Sequence, residues 1–329
     1  MSIQHAIAAV DDNPWKQAKL SVNGNTVELG RSLVLLRGQE NEVTVEVDPE
    51  IAEMLNLVLG DDGGMRIEAN PPFGEWVNPI DNKFSWKITP EDGKSGLALF
   101  VFFSRETAIP LECSSAVVSA DLKDEVAVFQ IGDHILPIAH MFFIGEPKTA
   151  TITPKEGSPL QHIDLVFDAI PRGGPPTMIV TPSGPGRSLA WEITATGKSG
   201  WFSPFVRDVN STTSYIVRDH KVMSRNLADE VQDVLLNGVV YAIGCVINID
   251  ESYVITLSVV PGSPLLEHPH PMTLTVILIS GLAPGDVVVV KNPGNTSWTL
   301  TASKPGEFKL ELAGTLMTGI ITLPDTIVQ

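Results

Sequence analysis

Several short stretches carry residue types that could do chemistry. Gly93-Lys94-Ser95-Gly96 and Gly197-Lys198-Ser199-Gly200 each hold the Gly-Lys-Ser of a phosphate-binding loop, in which backbone amides and the lysine cradle phosphate. Such a loop also needs a glycine five residues before its last glycine, and a helix whose N-terminal amides face the ligand. Those upstream positions are Ile88 and Glu192, and the residues that follow read as strand. Both phrases are therefore expected to be turns between strands. His268-Pro-His270-Pro offers two imidazoles to a metal, but no further ligand sits at recognisable spacing, so a solvated loop is the expectation. Asp61-Asp62-Gly63-Gly64 offers hard oxygens to calcium without the twelve-residue frame of an EF-hand and without a counterpart elsewhere in the chain, so it reads as an ordinary turn. No Gly-x-Ser-x-Gly elbow occurs, and seven scattered histidines define no Ser-His-Asp set. No pair of carboxylates is singled out for glycoside cleavage. The expectation is a protein that is not an enzyme and holds no metal or cofactor.

Binding chemistry has better candidates. The stretch from Pro71 to Phe84 contains Phe73 and Trp76, two aromatic side chains that could anchor a protein partner or stack on a sugar, or could cover an exposed core edge. Trp201, in Trp201-Phe-Ser-Pro-Phe205, is the third candidate.

The elements that must position these residues follow from a repeat. Trp86-Lys-Ile-Thr89 with Gly96, Trp191-Glu-Ile-Thr194 with Gly200, and Trp298-Thr-Leu-Thr301 with Gly306 are one phrase, its tryptophans 105 and 107 residues apart. Leu55, Leu160 and Leu265 keep a step of 105, and Gly157-Ser-Pro-Leu160 returns as Gly262-Ser-Pro-Leu265. Each unit opens with an apolar stretch broken at Asn23-Gly24, Ile131-Gly132 or Asn237-Gly238. The joints repeat as well: Ser119-Ala-Asp-Leu-Lys-Asp-Glu-Val126 matches Ser224-Arg-Asn-Leu-Ala-Asp-Glu-Val231, and each could form a single helical turn. Gln329 falls near the position where those joints close their own units, so the chain is expected to end at a repeat boundary. The expected units are 18–119, 120–225 and 226–329 after an extension over 1–17. Five residues separate Pro293 from Trp298 and nine separate Pro182 from Trp191, but fifteen separate Pro71 from Trp86, so the first unit carries an insertion. Function is expected where copies diverge, because loops tolerate variation and carry contacts.

The apolar pattern has period two. Val43-Thr-Val45-Glu-Val47 and Phe308-Lys-Leu310-Glu-Leu312 put apolar residues on one face and polar ones on the other, which is strand geometry. Leu97–Phe103 and Val287–Val290 are near-continuous apolar runs, expected to be covered on both sides or to lie near a domain contact. Turn signals such as Asn292-Pro-Gly294 and Pro182-Ser-Gly184 arrive every ten or so residues, as in an all-β chain. Each repeated tryptophan is expected to be buried between sheets.

The Trp-x-[Ile/Leu]-Thr phrase, its glycine turn and the alternating strand after it resemble strands E and F of bacterial immunoglobulin-like repeats, found in tandem in adhesins, large surface proteins and phage virion proteins. The resemblance covers all three units and implies an all-β fold of three tandem immunoglobulin-like β-sandwiches. The chain departs from the antibody type, with no tyrosine corner and no cysteine pair across the sheets: Cys113 and Cys245 fall at non-equivalent places in different units.

Charge narrows the partners. The net charge of −17 argues against nucleic acid or an anionic membrane surface. The three expected units carry −8, −1 and −7, the pattern of solvated faces or, alternatively, of a middle unit turned toward a partner. Residues 1–12 lack the basic segment and long apolar core of a Sec signal, and no apolar run spans a membrane. The chain is thus expected to be made in the cytosol and to leave it only by lysis, by a dedicated export route or within an assembly. These readings converge on a structural and interaction protein, a short rod presenting loops in a virion or surface assembly, with a carbohydrate-binding module as the alternative.

Overall fold

The computed structural model describes residues 13–172, 177–182, 189–209, 213–217, 220–267, 271–294 and 296–329. The chain is all-β and folds as three tandem immunoglobulin-like sandwiches, with six sheets among the described residues. In the first, ten strands form: β1 Lys19–Val22, β2 Asn25–Val27, β3 Leu33–Leu36, β4 Asn41–Glu46, β5 Leu55–Asp61, β6 Ile67–Asn70, β7 Trp76–Val77, β8 Lys83–Pro90, β9 Gly96–Ser104 and β10 Leu111–Val118. One sheet runs β2-β1-β4-β8-β6 and the other β3-β10-β9-β5-β7, antiparallel except where β3 lies parallel to β10. The first of these orders recurs twice; the second recurs without a counterpart of β7, and each later copy instead pairs a short strand, Ser214–Ile216 or Ile321–Thr322, with the counterpart of β9. Each later copy has its tryptophan strand, Ala190–Thr196 or Ser297–Ala302, in the place of β8, and a short parallel pair, Met141–Phe143 with His220–Met223 or Cys245–Ile247 with Thr326–Val328, in the place of β3 and β10.

Local sequence explains the punctuation. Asn23-Gly24 and Asn237-Gly238 close two-residue hairpins with both residues at positive φ, the backbone that matches the twist of the flanking strands. The two joints each form a single 3-10 turn, Leu122–Glu125 and Leu227–Asp229, capped by the side chains of Asp121 and Asn226. Pro14–Gln17 makes a third such turn, capped by Asn13, and it buries Trp15 in the first core. Residues 13–17, assigned by sequence to an extension, thus pack as part of the first sandwich.

Each core lies between the two sheets of its sandwich. Trp86, Trp191 and Trp298 are 0%, 3% and 2% exposed, as their repetition predicts. Trp86 meets Phe102 of the facing sheet edge-on at 5.5 Å, and Trp191 meets Phe167 at 5.7 Å. The glycine turn after each tryptophan strand carries the chain from one sheet to the other. Both Gly-Lys-Ser phrases lead into strands, Gly96–Ser104 and Gly200–Asp208, as expected.

The two apolar runs depart from expectation. Val287–Lys291 is an edge strand whose alternation turns Val287 into the core and leaves Val288 and Val290 44% and 56% exposed. On β9, Phe100 and Phe102 point inward, whereas Leu97 and Phe103 are solvent-exposed on the outer face. Neither run is covered on both sides along its length, because period-two geometry sends every second residue outward whatever its type; β9 nonetheless lies beside β10 at the domain contact, and its outward Val101 is buried.

Replacing Trp298 with alanine is expected to lower the unfolding free energy by about 3–5 kcal/mol, the cost of an emptied aromatic site in a packed core. Urea unfolding followed by circular dichroism measures it.

Candidate functional site

The insertion of the first unit folds onto the end of its sandwich. Phe73 turns inward, half-buried against the first core with its ring centroid 6.1 Å from that of Phe100. Trp76 follows on β7, which pairs with β5, and it stays 36% exposed with the Arg105 guanidinium 4.6 Å from its ring centroid. Ile80 is 79% exposed, just before Asp81 and Asn82 take left-handed backbone to enter β8. Of the two insertion aromatics, Phe73 covers a core edge and Trp76 is presented outward.

Trp201 belongs elsewhere. It is half-buried on a strand of the second sandwich, with the Lys221 ammonium 4.8 Å from its ring centroid, and that ammonium pairs with Glu267 of the third sandwich at 3.0 Å. Trp201 therefore lies at the second joint and is not brought together with Phe73 and Trp76.

The other motifs resolve into turns and loops. The carboxylates of Asp61 and Asp62 accept from Gly63 N–H and Gly64 N–H, and the Lys94 ammonium donates to the carbonyls of both glycines. Among the described residues no three of His, Cys, Asp and Glu are grouped to hold a metal ion. His268 and His270 lie outside the described residues, as does Gly184 of the Pro182-Ser-Gly184 signal. Cys113 and Cys245 are free thiols, and burial pushes the Cys113 thiol up to about 12. No helix is long and apolar enough to cross a membrane among the described residues.

The most elaborate polar arrangement is at the joints, and it is built twice. At the first, the carboxylate of Glu125, 2% exposed, accepts from the Ser95 hydroxyl at 2.5 Å and from Ser119 N–H at 2.8 Å. At the second, the fully buried Glu230 accepts from Ser224 N–H at 2.5 Å and from the hydroxyls of Ser199 and Ser263. In both, the serine of the joint bonds the aspartate before the glutamate, Asp124 or Asp229, and Lys155 N–H or Val260 N–H, each just past the end of a strand, meets the glutamate's own carbonyl. A carboxylate out of water needs this number of donors to remain charged at acceptable cost. The donors come from two sandwiches, Ser95 or Ser199 from the one before the joint and the rest from the joint and the sandwich after it.

Apolar packing completes each joint. Val34, Leu36, Ala116 and Val118 point out of the first sandwich and belong to the buried cluster of the second, with Leu122. Met223, Met141 and Phe143 do the same for the third cluster, with Leu227. Arg31 pairs across the first joint with Asp164 at 3.2 Å. Arg225 lies over the Phe143 ring at 4.1 Å, donates to the carbonyl of Leu316 and pairs with Glu146 at 2.5 Å. The hydrogen bond from Arg225 holds the Glu146 carboxyl below the usual carboxylate range.

Sequence reading missed the clamp, although its signal was present. The serine of Gly-Lys-Ser occurs in the two units that precede a joint, and the third has Pro305 at that place. The glutamate stands four residues after the capping residue of the joint turn in the two units that succeed a joint, and the first has Gln17 at that place. Serine and glutamate are distant in sequence and each alone is unremarkable, so only their joint pattern of presence and loss carries the information.

No family model and no curated protein matches the sequence. Solved structures with a similar fold include the Escherichia coli adhesin FdeC, at 12% identity over 95% of this chain and 96% of that one, with a TM-score of 0.39. Invasin, a bacterial integrin-binding protein, aligns at 11% identity over 95% of this chain and 60% of its own, with a TM-score of 0.32. The D00-D0 domain of intimin aligns at 14% identity over 61% of this chain and all of its own, with a TM-score of 0.34.

Glu230→Ala leaves the donors of Ser199, Ser224 and Ser263 without their acceptor and is expected to destabilise the protein by about 1–3 kcal/mol per unpaired donor at most. Ser199→Ala, which removes one hydrogen bond to a charged group, is expected to cost about 1.5–3 kcal/mol. Urea unfolding of both variants beside the parent checks the order.

Proposed function

We propose that this chain is a non-enzymatic interaction protein, a short rod of three immunoglobulin-like units that holds binding surfaces at fixed spacing in a virion or surface-type assembly. The proposed units are 18–119, with the turn at Pro14–Gln17 attached, 120–225 and 226–329. The observation that carries the reading is the joint. Two successive connections bury the same carboxylate, draw onto it a hydroxyl of the unit before and a backbone N–H of the joint, with a hydroxyl of the unit after added at the second, and seal it with apolar side chains. Domains joined by flexible linkers do not invest buried polar networks in their relative orientation, whereas a spacer requires it.

The strongly acidic first and third units disfavour polyanions as partners and favour a protein partner or assembly.

Small-angle scattering of the intact chain tests this reading. A radius of gyration well above the roughly 20 Å of a compact globule of this length, with the profile of an elongated particle, is the expected result. A value near that of the globule overturns it.

A further inference from the structure

One sheet edge is treated in three ways along the chain. In the first unit the insertion covers it: β7 pairs with β5, Gly74 N–H donates to the carbonyl of Leu57 at 2.9 Å, and Leu55 and Leu57 are fully buried. In the second, the strand Leu165–Arg172 ends its sheet and carries Asp168, Pro171 and Arg172, charges and a proline of the kind that blunt an edge against foreign strands. In the third, the strand Met272–Ser280 ends its sheet with the sequence Met-Thr-Leu-Thr-Val-Ile-Leu-Ile-Ser, which holds neither charge nor proline. Counted from the glycine turn, Leu312 is the counterpart of Phe102, so Leu274 opposite it stands where Leu57 stands in the first unit. Leu274, Val276 and Leu278 point toward the third core but stay only partly buried. So does Val289 of Val287–Lys291, the strand that ends the facing sheet on the same side.

The backbone of this edge is open as well. Thr315 N–H donates to the carbonyl of Pro271, which fixes the phase of the ladder. Thr273, Thr275 and Ile277 therefore exchange bonds with the strand Gly306–Gly314, and the N–H and C=O groups of Leu274, Val276 and Leu278 face away from it. Among the described residues no strand lies beyond them. The Lys291 ammonium takes the carbonyl of Met272 at 3.1 Å and closes that end, so the open stretch starts at Leu274.

We propose that this edge pairs with the same edge of a second copy of the chain, antiparallel across a two-fold axis near Val276. Leu274 of each copy then lies opposite Leu278 of the other, and the backbone groups that face outward are the ones this register bonds. The inward side chains meet across the axis and complete the third core, as Phe73 and β7 complete the first. No like charges are opposed, because the strand carries none. Two open edges lie on the same side of this sandwich, and a second copy brings both of its own. A single foreign strand would cover one edge and leave the other bare. Pairing over so few residues buries less than the roughly 1,200 Å² at which standard interfaces begin, so the dimer is weak and reversible. The proposal adds to the rod a lateral contact through its third unit.

Sedimentation velocity of the intact chain, from about 1 µM to about 0.2 mM, tests it over the range in which a weak interface fills. A reversible monomer–dimer equilibrium is expected. Val276→Pro removes a donor that faces the open edge and no bond of the ladder within the unit, and Thr275→Glu sets a carboxylate on the exposed face of each paired strand. Each is expected to weaken dimerisation by about tenfold or more. Ile179→Glu, at an exposed position on an edge strand of the second sandwich, should dimerise as the parent does. Amide hydrogen exchange of the unaltered chain gives an independent reading: Leu274, Val276 and Leu278 should gain protection at the high end of the concentration range and not at the low end. A chain that stays monomeric throughout overturns the proposal. So does a dimer in which those three amides exchange as in the monomer, one that survives both edge substitutions, or one that Ile179→Glu abolishes. The elongated form of the single chain stands through each of those failures.

Discussion

A carboxylate buried between two sandwiches is unstable unless both neighbours are in place to solvate it. Glu125 and Glu230 are each held by a hydroxyl from the unit before the joint and by a backbone N–H of the joint itself. Rotation of one unit against the next would strip that hydroxyl away and leave charge in a site that water reaches poorly. The apolar seal acts in the same direction, since Val34, Leu36, Ala116 and Val118 are buried only because the second sandwich covers them. Relative orientation is therefore coupled to burial of both polar and apolar groups, and the spacing of every exposed loop on the chain depends on it.

The sandwiches themselves are ordinary by comparison. Period-two alternation, a plug of tryptophan between sheets and hairpins closed at positive φ are enough to form each unit, and the same strand order, apart from one short strand in the second sheet, results three times from diverged sequence. What differs among copies is at the surface. The first unit spends its insertion on closing a core edge with Phe73 and on lifting Trp76 into solvent. The second unit places Trp201 under Lys221 at a joint, so an aromatic residue of similar appearance in sequence serves assembly of the chain instead.

Much of this was legible in the residues. Repeat spacing located the tryptophans and the joint turns, because both are set by local sequence and recur at a fixed interval. The glycine turns could be separated from phosphate loops, because the missing upstream glycine and the strand that follows are visible in one dimension. The clamp was not legible in a single copy, since its serine and glutamate lie 30 or 31 residues apart and meet only when two sandwiches stack. The open edge of the third unit was equally hidden. It depends on which strand ends the sheet and on the lack there of the cover that β7 gives β5, and no local motif encodes either. The turn at Pro14–Gln17 went unread because its sequence, Asn13-Pro-Trp15-Lys-Gln17, shares with the other two only a capping side chain and one large apolar residue.

Fixed orientation at the joints is the claim on which the rest stands, and a distance across one joint tests it most directly. With Cys113 and Cys245 replaced by serine, spin labels at Glu192 and Val254, exposed strand positions in the second and third sandwiches, report the inter-unit distance by pulsed electron resonance. A single narrow distribution that broadens in Glu230→Ala is the predicted result. A broad distribution in the otherwise unaltered chain would contradict the account.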